Sequence, residues 1–375
     1  IGVVASSLLK EQAAEGRFRA DNGFDAVCVC DALIICVPTP LRKTKEPDVS
    51  CILNASSEVV PRLAKGRLVV LESTTYPGTT RELVLPLFEK RGMKVGKDFF
   101  LAFSPERVDP SNPRYRIENT PKVVGGITPA CGRLAAALYS KVVGNVVSVS
   151  SADTAEMVKL LENTFRAVNI GLVNEMALMC HKLGLDVWEV IEAASTKPFG
   201  FMPFYPGPGL GGHCIPVDPH YLAWKMKALN FEPRFIELAG VINGSMPEHS
   251  VARMGDLLNR RGMPVRGSGI LVLGAAYKPD VNDVRESPSL DVIKLLLDLG
   301  ARVSYHDPHV PELRIEGKKM RSTPLTPANL RKADLVAVLT AHSSVDYGSV
   351  VRRARLVFDA RNASKGLRGS GLFRL

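Results

Sequence analysis

The sequence predicts an α/β protein with two doubly wound domains flanking a helical centre. Three observations carry this. Short β-rich apolar runs alternate with helical stretches over residues 31–150, one unbroken helical stripe occupies 152–183, and the alternation resumes at Gly269. Strands separated by helices of 10–15 residues are the pattern of βαβ units and a parallel sheet.

The first domain is expected over 1–150, with strands at 31–37, 67–71, 99–103, 122–124 and 145–149. Helical spacing of apolar residues places helices at 50–63, 79–91 and 129–139 between them. The second is expected over 151–259, where strand patterns vanish. Its stripe of Met157, Leu160, Leu161, Phe165, Val168, Leu172, Val173 and Met176 predicts a helix on the order of 45 Å long, suited to pairing two subunits. The third is expected over 260–375, with strands at 270–275, 302–306, 335–339 and 356–358 and a helix at 287–299.

The chain has 375 residues, 46% hydrophobic and 23% charged, which excludes a disordered or collagen-like protein. No run approaches the roughly 18 apolar residues of a membrane-spanning helix. The net charge of +10 raises nucleic acid as a partner, but the basic residues are scattered. Their densest cluster, Arg352, Arg353 and Arg355, has no interleaved aromatics, so a phosphate-bearing small substrate is the better match. Seven cysteines without a CxxC pair suggest reduced, cytoplasmic usage.

One G-x-G-x-x-G occurs, at Gly207, Gly209 and Gly212, but it neither follows a strand nor opens a helix. It reads as a Gly/Pro loop whose bare amides can approach a ligand. The loop runs into Cys214, which, unlike the other cysteines, sits between Gly-Gly-His and Ile-Pro in a polar segment. Such a thiol is either a nucleophile or a small structural residue. His213, Cys214 and His220 lack the second ligand pair of a zinc site, so no metal is expected. Lys159 and Asn163 share a helix face, as a solvated pair or as two donors aimed at one oxygen. Three strands of the first domain end in polar, proline-stiffened segments: Val37-Pro38-Thr39, Glu72 to Gly78, and Ser104 to Asp109. Open α/β sheets bind ligands at that edge. In the third domain Lys278 and Arg285 lie between a strand and a helix start, where an anion is favoured. Asp307 closes the next strand, either as a nucleotide-binding acid or as the turn residue before Pro308.

Four strings taken together are diagnostic: Tyr205-Pro-Gly-Pro-Gly-Leu-Gly-Gly-His-Cys-Ile-Pro-Val-Asp-Pro219, Glu72-Ser-Thr-Thr-Tyr-Pro-Gly78, Ser104-Pro-Glu-Arg-Val108, and Tyr277-Lys-Pro-Asp-Val-Asn-Asp-Val-Arg-Glu-Ser287. In this order they resemble the UDP-glucose/UDP-mannose (nucleotide-sugar) 6-dehydrogenase family over essentially the whole chain. Within it the branch acting on UDP-N-acetylhexosamines is the most similar. His213 and Val217 stand where the UDP-glucose branch typically has Ser and Lys.

The resemblance implies two Rossmann-like domains joined by a long central helix that forms a dimer core. It also implies NAD as cofactor and a UDP-sugar as substrate, UDP-GlcNAc before UDP-ManNAc or UDP-glucose. C6 is oxidised twice, through a thiohemiacetal and then a thioester on Cys214. Lys159 and Asn163 would polarise the C6 oxygen, Asp218 would orient them and the thiol, and Glu106 and Thr74 would manage the hydrolytic water. Pro38, Thr39, Thr74 and Arg285 would contact NAD. Arg107, Val108, Lys159, Asn163, Tyr205, Gly207, Gly209, Gly211, Gly212, Tyr277 and Lys278 would contact the UDP-sugar. A non-catalytic UDP-sugar-binding fragment is the alternative from another class, because one departure stands out. Residues before Asp31 carry neither the strand nor the glycines of the family's opening βαβ unit, and Ile1 to Arg19 correspond to the family region after that unit. The expected domain therefore lacks its first βαβ unit and the pyrophosphate cradle. Residues 1–375 are expected to bind NAD weakly; calorimetric titration giving a low-micromolar Kd would reverse that expectation.

Overall fold

A computed structural model of the chain describes Val4, residues 6–42, Thr44, 46–109, Asn112 and 114–375. Residues 1–3 and 5 of the opening stretch fall outside this set. Two compact units result, Ile1–Asn163 with His220–Glu232 and Thr164–Pro219 with Pro233–Leu375.

The first unit opens with α1 (Ser6–Ala14) and a 3-10 turn (Asp25–Val29). There follow β1 (Ala32–Ile35), α2 (Ser50–Val59), β2 (Arg67–Leu71), α3 (Leu85–Glu89), β3 (Phe99–Phe103), β4 (Lys122–Gly126), α4 (Pro129–Tyr139) and β5 (Val146–Val149). Strand order is β1-β2-β3-β4-β5. β2 is buried on both faces, as its unbroken apolar run requires. Val69 and Leu71 point to a core shared with Ile52 of α2 and Phe88 of α3, where the Phe88 and Phe99 rings stack at 4.7 Å. Leu68 and Val70 point the other way, to Ala135 and Tyr139 of α4. The expected parallel sheet needs one correction: β3 and β4 pair antiparallel. No helix is found in the described residues between them, and a parallel return needs such a crossover, so the chain re-enters at the edge it left.

The long helix is α5 (Ala152–Leu183), 32 residues without a break. It is followed by α6 (Val187–Ala194), α7 (Asp218–Lys227) and α8 (Arg234–Asn259). Gly171 lets α5 and α8 pack backbone to backbone; a Cβ there would sit 3.2 Å from the Ala239 Cα. The chain continues through β6 (Gly269–Leu273), α9 (Pro288–Asp298), β7 (Arg302–His306), the hairpin β8 (Glu312–Ile315) and β9 (Lys318–Arg321), α10 (Pro327–Lys332), β10 (Leu335–Val338), α11 (Tyr347–Arg353), β11 (Val357–Asp359) and β12 (Leu372–Arg374). The hairpin stands apart; the others run parallel in the order β12-β11-β10-β6-β7. α8 and α9 cover one face through Met254, Leu257, Val292 and Ile293, and α10 and α11 the other through Leu330 and Val350. This is the doubly wound arrangement that the sequence predicts.

Glu156, in the second turn of α5, is fully buried. Its carboxylate accepts the N–H of Gly78 (2.6 Å), the N–H of Thr80 (2.9 Å) and the Thr80 hydroxyl (2.7 Å). It thereby ties down the turn after β2, where Gly78 has a φ of 100°. Burial outweighs these donors and pushes the Glu156 carboxyl up to about 7. A raised carboxyl favours folding most while it is neutral, below the unfolded value of 4.5, and that contribution is lost as pH rises through about 7. Glu156→Ala is expected to cost about 2–4 kcal/mol, because two buried N–H groups lose their acceptor. Melting-temperature differences from the unaltered protein should shrink between about pH 5 and about pH 8. A difference that widens over that interval contradicts the assignment.

Candidate active site

At the carboxyl edge of the first sheet, the ends of β1 and β2 are bonded to each other. The Ser73 Oγ accepts the Val37 N–H (2.8 Å) and donates to the Val37 carbonyl (2.7 Å). The Thr39 hydroxyl donates to the Thr74 carbonyl (2.8 Å). Pro38, Thr39 and Thr74 are thus brought together where an open sheet takes its ligand.

Glu106 follows β3. Its Oε1 accepts the N–H groups of Arg107 (2.8 Å) and Val108 (2.6 Å), and its Oε2 faces the Lys122 Nζ at 3.3 Å. Burial opposes ionisation, but Lys122 and the two amides hold the Glu106 carboxyl below its usual value. Lys122 also pairs with Glu72 at 3.1 Å, and Glu72 accepts the Tyr139 hydroxyl. Beside Glu72 the Cys36 thiol is pushed up to about 11 by burial and by that carboxylate, which makes it a poor nucleophile. A pocket of about 250 Å³ is lined by Glu72, Glu106, Arg107, Lys122 and Tyr139, with apolar walls that include Ile34.

Lys159 and Asn163 lie one turn apart on α5, both half-buried. Between them Glu162 takes the Arg107 guanidinium at 2.6 Å, and a second Arg107 nitrogen donates to the Pro121 carbonyl at 2.6 Å. Arg107, expected as a substrate contact, is therefore already committed to Glu162.

The second unit brings together the glycine loop and the segment after β6. A buried polar chain anchors the loop: the Gly207 N–H donates to Asn174 (3.0 Å), Asn174 donates to Asn243 (2.8 Å), and Asn243 donates to the Ala167 carbonyl (3.0 Å). No strand precedes this loop, so it is not a dinucleotide fingerprint. Gly207 lies against the Arg361 guanidinium. A Cβ on Gly211 would meet the Tyr277 Cβ at 2.9 Å, and one on Gly212, whose φ is 94°, would meet the Tyr277 ring at 2.9 Å. Gly209 has a φ of 140°. Tyr205 stacks on Trp188 at 6.3 Å, and the Lys278 ammonium lies 5.9 Å from the Tyr277 ring.

Cys214 is half-buried, and its carbonyl accepts the Asp218 N–H (2.8 Å) where α7 begins. Asp218 is buried. His213 Nδ1 is 3.4 Å from Arg285, which Asp283 holds through two nitrogens at 2.6 and 3.0 Å. Asp307, left open by the sequence between nucleotide ligand and turn residue, belongs to the fold. It is buried and receives the N–H groups of Ala275, Ala276, His309 and Val310. The His342 Nε2 completes its shell at 3.0 Å. Burial is outweighed by these donors, and the Asp307 carboxyl falls to about 2. Asp280, His309 and His342 cluster within 4.8 Å, but the His342 Nδ1 already accepts the Asp280 N–H (3.0 Å). With both ring nitrogens used, the trio makes no cation site.

Three family models match in order: the NAD binding domain of the UDP-glucose/GDP-mannose dehydrogenase family over 4–143, its central domain over 153–245 and its UDP binding domain over 271–366. A UDP-N-acetyl-D-glucosamine 6-dehydrogenase of Pseudomonas aeruginosa is 36% identical over 75% of this chain and 67% of its own length. The chain belongs to the UDP-glucose/GDP-mannose dehydrogenase family. A UDP-N-acetyl-D-mannosamine dehydrogenase of Pyrococcus horikoshii is 34% identical over 95% of this chain and 83% of its own. The solved UDP-D-ManNAc dehydrogenase structure from Pyrococcus horikoshii superposes with a TM-score of 0.88 at 32% identity, covering 100% of this chain and 88% of that one. As a family member the protein is an NAD-dependent oxidoreductase. The joined ends of β1 and β2 place Pro38, Thr39 and Thr74 at the edge of the sheet in the NAD binding domain.

Sequence reading missed the partners that hold these residues: Lys122, Glu156, Glu162 and Arg361. Glu162 was the easiest to find, one position before Asn163 and flanked by the stripe. Gly212→Ala is expected to displace the Tyr277 ring and weaken UDP binding about tenfold, or about 1.4 kcal/mol. An unchanged UDP affinity by calorimetry would detach Tyr277 and the loop from the ligand.

Proposed function

We propose that the protein oxidises C6 of a UDP-N-acetylhexosamine to the uronic acid, with UDP-GlcNAc favoured over UDP-ManNAc and UDP-glucose. The observation that carries this is the setting of Cys214. Its loop enters α7 through the Asp218 N–H, and its neighbour His213 reaches Arg285. His213, in place of the serine of the UDP-glucose branch, supports the hexosamine reading.

When bound, NAD supplies the hydride acceptor for both oxidations. The Cys214 sulfur adds to the C6 aldehyde, so that no free aldehyde leaves between them. Lys159 and Asn163 donate to the C6 oxygen as it gains charge, and Asp218 orients the thiol. In the last step water adds to the acyl carbon and the C–S bond breaks. The sulfur recovers a proton, and the product leaves as a carboxylate with one proton to solvent. A carboxylate that already holds three donors is a weak proton acceptor, so Glu106 with Thr74 orients this water rather than deprotonating it. Tyr205, the glycine loop, Tyr277, Lys278 and Arg361 take the UDP-sugar, and Arg285 contacts NAD.

The same reading includes a homodimer. Phe235, Leu238 and Val241 expose 78%, 56% and 70% of their surface along one side of α8, and Leu172 and Leu183 do the same on α5. Apolar surface of that extent marks an interface. A cytoplasmic setting and a product destined for surface polysaccharide complete the proposal. Its support is that none of the seven cysteines forms a disulfide, as in a reducing compartment, and that the family includes relatives such as Protein CapL of Staphylococcus aureus.

The decisive experiment offers UDP-GlcNAc, UDP-ManNAc and UDP-Glc side by side and measures NADH release. UDP-GlcNAc is expected to give the highest kcat/KM, with two NADH per sugar. Cys214→Ala should abolish acid formation; two NADH per sugar at the normal rate from that variant would remove the covalent mechanism.

A further inference from the structure

One buried charge has no part in the chemistry above. Lys122 is the first residue of β4, and its side chain keeps only 10% of its surface. It stands between two carboxylates, Glu72 Oε1 at 3.1 Å and Glu106 Oε2 at 3.3 Å, with its Nζ 5.2 Å from the Tyr139 ring centroid. A buried ion cluster of this kind stabilises no better than apolar residues of the same volume. What it does supply is direction.

A carboxylate has about four acceptor positions. On Glu106 the two of Oε1 are filled by the N–H groups of Arg107 and Val108, and Lys122 fills one on Oε2. One remains, on a side chain 49% exposed. The charged and titratable groups around it are Lys122 of β4, Glu72 after β2, Tyr139 of α4 and Cys36 after β1. Arg107 of the same loop is turned away to Glu162 of α5.

We propose that Lys122 is a positioning residue for Glu106: anchored by Glu72, it leaves Glu106 a single acceptor direction, the one that holds the hydrolytic water. This rests on the role given to Glu106 above and adds what sets its orientation. Tyr139 keeps Glu72 in place, so the line Tyr139–Glu72–Lys122–Glu106 transmits position from the α4 side of the sheet to the ligand edge.

The test tracks the Glu106 carboxyl itself, by carbon-13 NMR of glutamate-labelled protein, beside the pH profile of NADH release. Lys122→Met should raise the Glu106 titration by about one pH unit and move the acid limb of the profile with it. Cys214-bound acyl enzyme should build up in intact-mass spectra, while KM for the UDP-sugar stays within about twofold; Lys122→Arg should restore the limb. Glu72→Gln, which leaves Lys122 to Glu106 alone, should shift the titration the opposite way, a sign that mere loss of packing does not produce. An unshifted Glu106 titration in both Lys122→Met and Glu72→Gln overturns the inference whatever the activity. A Glu106→Gln variant that forms acid at the normal rate instead sinks the role of Glu106, and the titration still decides whether Lys122 holds it.

Discussion

Backbone amides at the carboxyl edge of each sheet must be satisfied without water, and buried carboxylates meet that constraint. Glu156 takes the amides of Gly78 and Thr80 in the first unit. In the second, Asp307 takes four loop amides and a histidine, and Asp359 takes those of Arg361, Ala363 and Ser364. Each carboxylate lies under a loop that carries candidate ligand contacts. The loops are irregular because ligands need that, and an irregular loop is held only where its orphan donors find acceptors. Burial acts on the first two carboxylates in opposite balance. Glu156 has three donors and no cation and is pushed towards neutrality, whereas Asp307 has five donors and stays an anion.

The same logic governs the charge balance. Several basic residues near the ligand edges are tied to carboxylates rather than left as loose surface charges. Lys122, Arg107 and Arg285 are each paired with carboxylates that set their direction, Glu72 and Glu106, Glu162, and Asp283. A planar guanidinium held on one edge presents the other in a fixed orientation.

Much of the fold was legible in the sequence because the parallel strands are buried on both faces. β2 and β3 follow their apolar runs to Leu71 and Phe103, and α5 follows its stripe from Ala152 to Leu183. The hairpin β8–β9 and the edge strand β12 were not, since short strands such as Lys318–Arg321 are largely exposed and carry no apolar signature. The direction of β4 was readable in principle from the sequence between Phe103 and Lys122, which carries no helical apolar spacing. In the site, the motif residues were legible through resemblance, but their partners were not. Glu156 and Gly78 are 78 positions apart, Arg107 and Glu162 are 55 apart, and nothing local to Glu156 or Lys122 marks either as a partner.

The antiparallel entry of β4 has a consequence for how such proteins diversify. Because the segment between β3 and β4 leaves and returns at one edge, its length is uncoupled from strand register and from the packing of both faces. Residues can be inserted or lost there at the modest entropic cost of a longer surface loop. Glu106 stays fixed to β4 through Lys122. Natural variation in this segment can therefore reshape the mouth over the sheet while the groups beneath it keep their places.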